Sequence, residues 1–416
     1  MNTEHSNKEE RLLNYEVTFD LILDIGRDLI RCGGEVRRVE DTLYRLAEAY
    51  DFRACHVWVV PSMIEATFTD PEGVTRTQIR HIKSISNNFD ALDKLNALSR
   101  RACAEKPAVH ELSLRLGMIR AAAPLKPWLA YLGGVLGGWG FALFFGCDLL
   151  DSLVAAMASA LVFFLVRRLS RLESNPLILN FAVSFVTELF ILLICHFSFG
   201  VHMETITIGV VMLLVSGLGV FNGLRDMVHL DTLSGLINLV ASVTGAIGIA
   251  LGMALPMLIF KDWGTFAVSA QDPNPIIQVL SGTVACVGFS IWFKVRGWKI
   301  LWCGLGALLT WGVYLVVYHY YPSAFGATFI SSIVCGLYGQ IMARIIKCPA
   351  TIFTTIDILP LVPGASLYYA LYGIVTRNTD LTSAKAIEMV LICFGIVFGF
   401  MVVEVVNRFI WRRKRP

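Results

Sequence analysis

VSGLGVFNGLRDMV, Val215 to Val228, and VPGASLYYALYGIV, Val362 to Val375, read alike. Their start positions differ by 362 − 215 = 147 residues, and sliding the hydrophobic pattern by that offset lays about five apolar spans over the next five. The chain therefore reads as an internal duplication. An odd number of spans per repeat turns the second copy over in the bilayer, which is the inverted-repeat design of many secondary transporters.

The composition fits such a reading. Of 416 residues, 56% are hydrophobic and 16% charged, a balance too apolar for an ordinary soluble protein. From Met1 to about Lys126 the sequence is charged and punctuated like a soluble domain, and from Trp128 to Trp411 it runs in long apolar stretches. A hydrocarbon core of roughly 30 Å takes about 20 apolar residues to cross as a helix. Spans are expected near 128–146, 150–168, 176–196, 205–222 and 233–260, then 275–293, 298–318, 323–342, 351–372 and 383–410. The expected fold is an α-helical polytopic membrane protein of ten transmembrane helices in two inverted five-helix repeats. These would occupy residues 127–260 and 261–416, the second with a basic tail, behind a small α+β head at residues 1–126.

MNTEHSNKEERLLNYEV lacks the apolar core of a signal peptide, so the head is expected in the cytoplasm. The ten cysteines are scattered without a Cys-x-x-Cys pair and read as small apolar side chains, not as a disulfide framework or zinc site. No cofactor, metal or nucleic-acid partner is expected. The net charge of +3 says little by itself, because its placement carries the information. Basic clusters lie at Arg115, Arg120 and Lys126 before span one, Arg167, Arg168 and Arg171 after span two, Lys294, Arg296 and Lys299 after span six, Arg344 and Lys347 after span eight, and Arg412 to Arg415 at the end. With a cytoplasmic head and ten crossings, all fall inside, as the positive-inside rule requires. The opposite connections carry Asp148, Asp151, Glu204, Asp262 and Asp272, Tyr320 and Tyr321, and the balanced pair Arg377 and Asp380. Both termini are then cytoplasmic.

Three segments resemble a known family. GGEVRRVEDTLYRLAEAY (Gly33 to Tyr50), NGLRD with a following SGL (Asn222 to Asp226, Ser234 to Leu236) and LPLVPGASLYYAL (Leu359 to Leu371) are together similar to the bacterial threonine/serine exporters, over nearly the whole chain. The resemblance implies efflux of small hydroxy amino acids from the cytoplasm, driven by the proton-motive force, by a multi-pass protein of the inner membrane. In some bacteria the two halves look like separate genes that work together in dicarboxylate export, which makes a succinate-type substrate the alternative. The chain has Ser216 and Gly217 where the family's first motif usually has Pro-Gly, a departure that bears on the local bend and on substrate choice.

Helical backbone in lipid satisfies its own hydrogen bonds, and irregular backbone survives only where protein or a water-filled cavity surrounds it. Val362-Pro363-Gly364 interrupts span nine and Ser216-Gly217-Leu218-Gly219 takes the matching place in span four, so both spans are expected to break or bend. Freed carbonyls and amides at such breaks suit a carboxylate or zwitterion near the midplane. The candidate substrate-binding residues are Ser216, Gly217, Asn222, Pro363, Gly364, Ser366, Tyr368 and Tyr369. Ser331 and Ser184 join them as repeat partners, since 331 − 147 = 184, and spans three, four, eight and nine then line the pathway. The competing reading of these small residues is close helix packing, which is the simpler reading for the glycines of span one.

Arg225 and Asp226 have Tyr372 and Gly373 as repeat partners, so fold symmetry does not demand the charges. They read as an inner gate or carboxylate site, or equally as an interfacial ion pair fixing a loop; His229 and Asp231 beside them read as solvated. Glu188, Asp357 and Glu404 fall within apolar runs. An ionised carboxylate in hydrocarbon costs about 3 kcal/mol on insertion scales, so each is expected to face a cavity or a partner and to be a candidate for proton coupling. Glu188 is the most central, with Asn180, Ser184 and Thr187 beside it. Asp357 can snorkel to the interface, and Glu404 is near the basic tail. His196 and His202 read as exposed near the outer surface.

In the head, helices are expected from Val17 to Arg31 and Glu35 to Tyr50, strands at His56 to Val60, Ile64 to Thr69 and Thr75 to His81, and a last helix capped by Ser86. A hydrolase set of Ser62, His56 and Asp41, or a metal set of Glu35, Glu40 and His56, has no recognised spacing. The head is expected to bind another head in a homo-oligomer or to guard the inner mouth, with Glu35, Arg38, Glu40 and Asp41 as its charged group. The remaining readings are a channel and a membrane-anchored enzyme.

Overall fold

A computed structural model describes residues 2–173, 175–197, 202–215, 217–228, 230–260 and 273–412. The chain divides into two units. The first comprises Met1–Leu125 with two short later stretches, Phe293–Val295 and Ile346–Thr351; the second comprises Lys126–Trp292, Arg296–Ile345 and Ile352–Pro416.

In the first unit, α1 (Asn2–Arg31) and α2 (Val36–Ala49) precede β1 (Ala54–Val60), β2 (Met63–Thr69) and β3 (Thr75–His81), and α3 (Phe89–Glu105) and α4 (Val109–Arg120) follow. Val36, Val39, Leu43 and Leu46 recur at helical spacing and are buried, so α2 presents one apolar stripe. The strands form an antiparallel meander in which Val60 pairs with Met63 and Thr69 with Thr75. Alternation places Ile64, Ala66 and Phe68 of β2 in the core. Phe19 of α1 stacks on Phe68 at 4.3 Å between ring centroids. Asp20, Asp24 and Asp28 of α1 act as a clamp: Arg80 of β3 reaches Asp20 at 2.7 Å, and Arg120 of α4 reaches Asp24 at 2.8 Å and Asp28 at 2.6 Å.

Three details differ from the sequence expectation. The first helix extends back to Asn2, and α4 was not foreseen. The cap of α3 is Asn88, whose side chain accepts from Ala91 N at 3.3 Å; Ser86 instead donates to the carbonyl of Arg31. An Asn immediately before the apolar run is as good a cap as an earlier Ser, and the chain turn at Arg31 holds Ser86 outside the helix.

The second unit is helical: α5 (Pro127–Phe144), α6 (Leu149–Leu169), α7 (Pro176–Phe197), α8 (Met203–Leu214), α9 (Gly217–Val228), α10 (Thr232–Ile259), α11 (Pro275–Trp292), α12 (Lys299–Tyr320), α13 (Ala324–Ile346), α14 (Thr351–Asp357), a 3-10 turn (Leu359–Leu361), α15 (Gly364–Val375) and α16 (Thr379–Arg412). Among the described residues, eight of these helices are long and apolar enough to cross a membrane. A ninth arises if Thr351–Leu361 and Gly364–Val375, bent by 48°, count as one span. The expected span at 205–222 is two short helices. The 12 residues of α8 rise about 18 Å at 1.5 Å per residue, short of a hydrocarbon core.

Glycines let the helices of this unit approach backbone to backbone. A Cβ at Gly140 of α5 would lie 2.6 Å from Ala285 N of α11, and one at Gly288 of α11 would lie 2.5 Å from Gly137 N of α5. At Gly252 of α10 it would lie 2.5 Å from Phe181 O of α7. Gly288→Val is therefore expected to force α5 and α11 apart, costing about 1–3 kcal/mol and lowering the thermal unfolding midpoint in detergent. Gly312→Ala, where a Cβ meets nothing within 4 Å, is expected to leave it unchanged.

Candidate functional site

The two sequence motifs meet in space. Helix α8 ends at Leu214, and Val215 turns to extended backbone (φ −68, ψ 119) with its N–H donating back to Val211 O at 2.9 Å. Pro363 has no N–H to continue a helical ladder, and α15 restarts at Gly364, whose N–H donates to Val362 O at 2.7 Å. A Cβ added at Gly364 would lie 2.9 Å from Met212 Sδ and 3.5 Å from Val215 Cγ1, so the start of α15 sits against the end of α8. Apolar side chains close the junction. Ile208 and Val211 of α8 pack with Ile249 and Met253 of α10 and with Tyr368, Tyr369 and Tyr372 of α15, while Val220 of α9 packs with Ala246, Leu367 and Cys393.

Glu188 of α7 is fully buried at this junction. Thr207 of α8 donates its hydroxyl into the carboxyl group, 3.2 Å from Oε1 and 3.1 Å from Oε2. Tyr368 and Tyr372 lie within electrostatic reach of the same carboxyl. Ser184, one turn before Glu188, and Tyr368 are buried, and the Ser184 Oγ and Tyr368 hydroxyl oxygens have no hydrogen-bond partner among the described residues. Buried polar groups are almost always paired, so two orphaned hydroxyls beside a buried carboxyl mark a place where a polar ligand would be satisfied.

Three further side chains extend the site along α15. Ser366 donates to Glu388 Oε1 of α16 at 3.1 Å, Lys385 donates to Glu388 Oε2 at 2.7 Å, and the Lys385 ammonium lies 5.9 Å from the Tyr369 ring centroid. Sequence reading passed over Thr207, Lys385 and Glu388. The signal for the last two was two charges three residues apart near the start of an expected span.

The remaining candidates fall in different places. Gly217 opens α9 and Asn222 is half-buried within it, while Ser216 and His229 lie outside the described residues. Ser331 donates to the carbonyl of Thr310 on α12. Arg225 lies 3.8 Å from Asp226, which also accepts from Asn238 of α10 at 3.1 Å, beside the close crossing of Gly223 and Gly235. That arrangement fits a fixed α9–α10 turn. Glu404 pairs with Arg408 at 2.8 Å. Asp357 does not snorkel: it is completely buried, because Gly306 opposite it leaves room for the carboxyl inside the helix packing.

His202 is half exposed but not solitary. Its N–H and Nδ1 lie 2.9 and 3.0 Å from Asp151, which thereby holds the first turn of α8. Among the described residues, Asp148, Asp151 and His202 form the group of possible metal-ligand atoms, all within 4.8 Å of one another. In the head, Glu40 accepts from Val59 N at 3.0 Å, Glu35 from the Thr351 hydroxyl at 2.9 Å, and Asp41 pairs with Arg45 at 3.7 Å, so these carboxylates have structural partners. A surface groove of about 620 Å³ lined by Val135, Trp139 and Leu153 is apolar and lacks the chemistry of the α8–α15 junction.

Long apolar helices, with interruptions that meet beside a buried carboxyl, are those of a multi-pass membrane protein. Similarity to known proteins makes it a transporter. Residues 20–260 match the family described as "Putative threonine/serine exporter", and residues 278–406 match "Threonine/Serine exporter, ThrE". The chain belongs to the threonine/serine exporter family, whose activity is amino-acid efflux. It is 21% identical over 385 residues to a protein of Mycobacterium tuberculosis (strain ATCC 25618 / H37Rv) described as "Probable threonine/serine exporter", covering 88% of this chain and 72% of that relative. No solved structure matches the chain.

Removing the one donor to Glu188 should be felt. Thr207→Val is expected to destabilise the protein by about 1–3 kcal/mol, read as a lower unfolding midpoint in detergent. Thr207→Ser, which keeps the hydroxyl, is expected to stay within about 1 kcal/mol of the parent.

Proposed function

We propose that this protein is a secondary active exporter of threonine, serine or a close analogue, working by alternating access. In this reading residues 1–126 form a cytoplasmic head, and residues 127–260 and 261–416 form two five-span repeats of opposite orientation in a bacterial inner membrane, with both termini in the cytoplasm. The fourth and ninth spans are the broken ones. The observation that carries the reading is the meeting of α8 and α15 at Met212, Val215 and Gly364. The carboxy-terminal end of one half-helix carries partial negative charge on its last carbonyls, and the amino-terminal end of the other carries partial positive charge on its first amides. An ammonium toward α8 and a carboxylate toward α15 match those ends, which is the charge pattern of a zwitterionic amino acid. The orphaned hydroxyls of Ser184 and Tyr368 offer partners for a substrate side-chain hydroxyl.

Glu188 is the coupling group in this reading. A carboxyl at membrane depth, held by the Thr207 hydroxyl, can exchange a proton when the site opens. The dicarboxylate alternative depended on Arg225 as a second anion site, and the contacts of Asp226 with Arg225 and Asn238 favour a structural role there. The family also weighs against an enzyme and toward transport.

The protein reconstituted in liposomes under an imposed pH gradient is expected to move labelled threonine or serine in a gradient-dependent way and to leave labelled succinate behind. Movement of succinate alone would transfer the function to organic-acid export. Glu188→Gln is expected to abolish gradient-driven movement by about tenfold or more. A channel would conduct equally well without that carboxyl, so unchanged transport by the variant would reject coupling at this residue.

A further inference from the structure

Asp357 is the last residue of α14 and is completely buried, and neither of its carboxyl oxygens has a hydrogen-bond partner among the described residues. Hydroxyl and thiol donors surround it, yet each has another acceptor. Cys286 of α11, Cys303 of α12 and Cys335 of α13 donate to the carbonyls of Ile356, Ile352 and Thr354 at 3.5, 3.9 and 4.0 Å. Thr310 donates to Gly306 O, Ser331 to Thr310 O, and Tyr338 of α13 to Trp302 O. Among the described residues, the titratable groups within electrostatic reach of it from the helices packed around α14 are Cys286, Cys335 and Tyr338. A Cβ at Gly306 of α12 would collide with the carboxyl, so the glycine is what admits it.

Nothing in the packing requires this acid. At the repeat offset its partner is Val210 (357 − 147 = 210), equally buried, and the partner of Gly306 is Ser159 (306 − 147 = 159). An unpaired buried charge costs several kcal/mol, so a carboxyl without structural work is retained against stability. Its position is also informative. At the same offset Glu188 matches Cys335 and Thr207 matches Thr354 (188 + 147 = 335; 207 + 147 = 354). Thr207 meets Glu188 between α7 and α8, and Thr354 meets Cys335 between α13 and α14, one turn before Asp357. Each repeat thus holds one fully buried carboxyl where its third span meets the first half of its broken span, contributed by opposite partners of that pair. The tight fit against Gly306 favours a ligand that takes almost no room.

We propose that Asp357 is a second proton-carrying site of the transporter, loaded and emptied once per cycle as α14 shifts against α12 and α13. The step is acid–base only: the carboxyl O–H bond breaks to release a proton to water on one side, and a proton from the other side re-forms it. The proposal rests on the exporter reading for its role in transport, but the proton site itself can be tested without substrate.

The first test treats the purified full-length protein with dicyclohexylcarbodiimide, which modifies protonated carboxyls in apolar surroundings, and reads the Asp357 peptide by mass spectrometry. Modification at acid pH that falls about tenfold at alkaline pH is expected; no modification at any pH would overturn the proposal. The second compares Asp357→Asn, close to isosteric, with the parent in liposomes. Exchange of labelled for unlabelled threonine, which needs no net proton movement, is expected to stay within about twofold, while gradient-driven accumulation falls about tenfold or more. Retained exchange also shows that the variant is folded. Gradient-driven accumulation at the parent level in a variant that exchanges normally would sink the idea. If the parent itself moves neither threonine nor serine, the exporter reading fails, and the carbodiimide result alone decides whether Asp357 holds an exchangeable proton.

Discussion

Backbone hydrogen bonding at membrane depth is the constraint on which the second unit turns. A helix can stop inside an apolar layer only where other protein covers the freed amides and carbonyls. Here both interruptions, after Leu214 and before Gly364, lie against each other, and α10 packs beside them. One break covers the other. The glycine at position 364, the first residue of α15, leaves room for Met212.

The same packing explains the polar interior. Close helix crossings at glycines bury the side chains between α7, α8, α10 and α15, and a buried acid is stabilised by a donor. Glu188 finds Thr207; Asp357, inside a comparable cage of helices, finds none although thiols and hydroxyls surround it. That difference separates two kinds of buried carboxyl. One is anchored at the junction of the two motifs, and the other is unanchored between α12, α13 and α14. Both are easier to understand in a protein that handles charge than in one built only to be stable.

Much of this was legible before any coordinate. The two motifs predicted both interruptions, and the apolar runs predicted the helices to within a few residues, because a membrane-crossing helix has to be nearly continuous in hydrophobicity. The head's strands followed from alternation, as in Ile64, Ala66 and Phe68. Thr207, Lys385 and Glu388 were not legible as site residues, because a threonine in an apolar helix and a charged pair near a helix start are each ordinary locally. Only contact across helices gives them meaning. The expectation that Asp357 snorkels failed for the same reason: position within a span suggested the interface, and the neighbouring glycine that admits it to the interior is 51 residues away in the chain (357 − 306).

Sequence alone determined that the chain has a charged α+β head and a long apolar part with two matching interruptions, since periodicity, hydrophobicity and proline act locally. It also carried the family. Tertiary structure decided which groups share a space: the end of α8 with the start of α15, Glu188 with Thr207, Ser366 with Glu388, and Asp357 with Gly306. Those pairings depend on helix crossings set by small residues far apart in the chain, and no local rule of propensity or spacing encodes them.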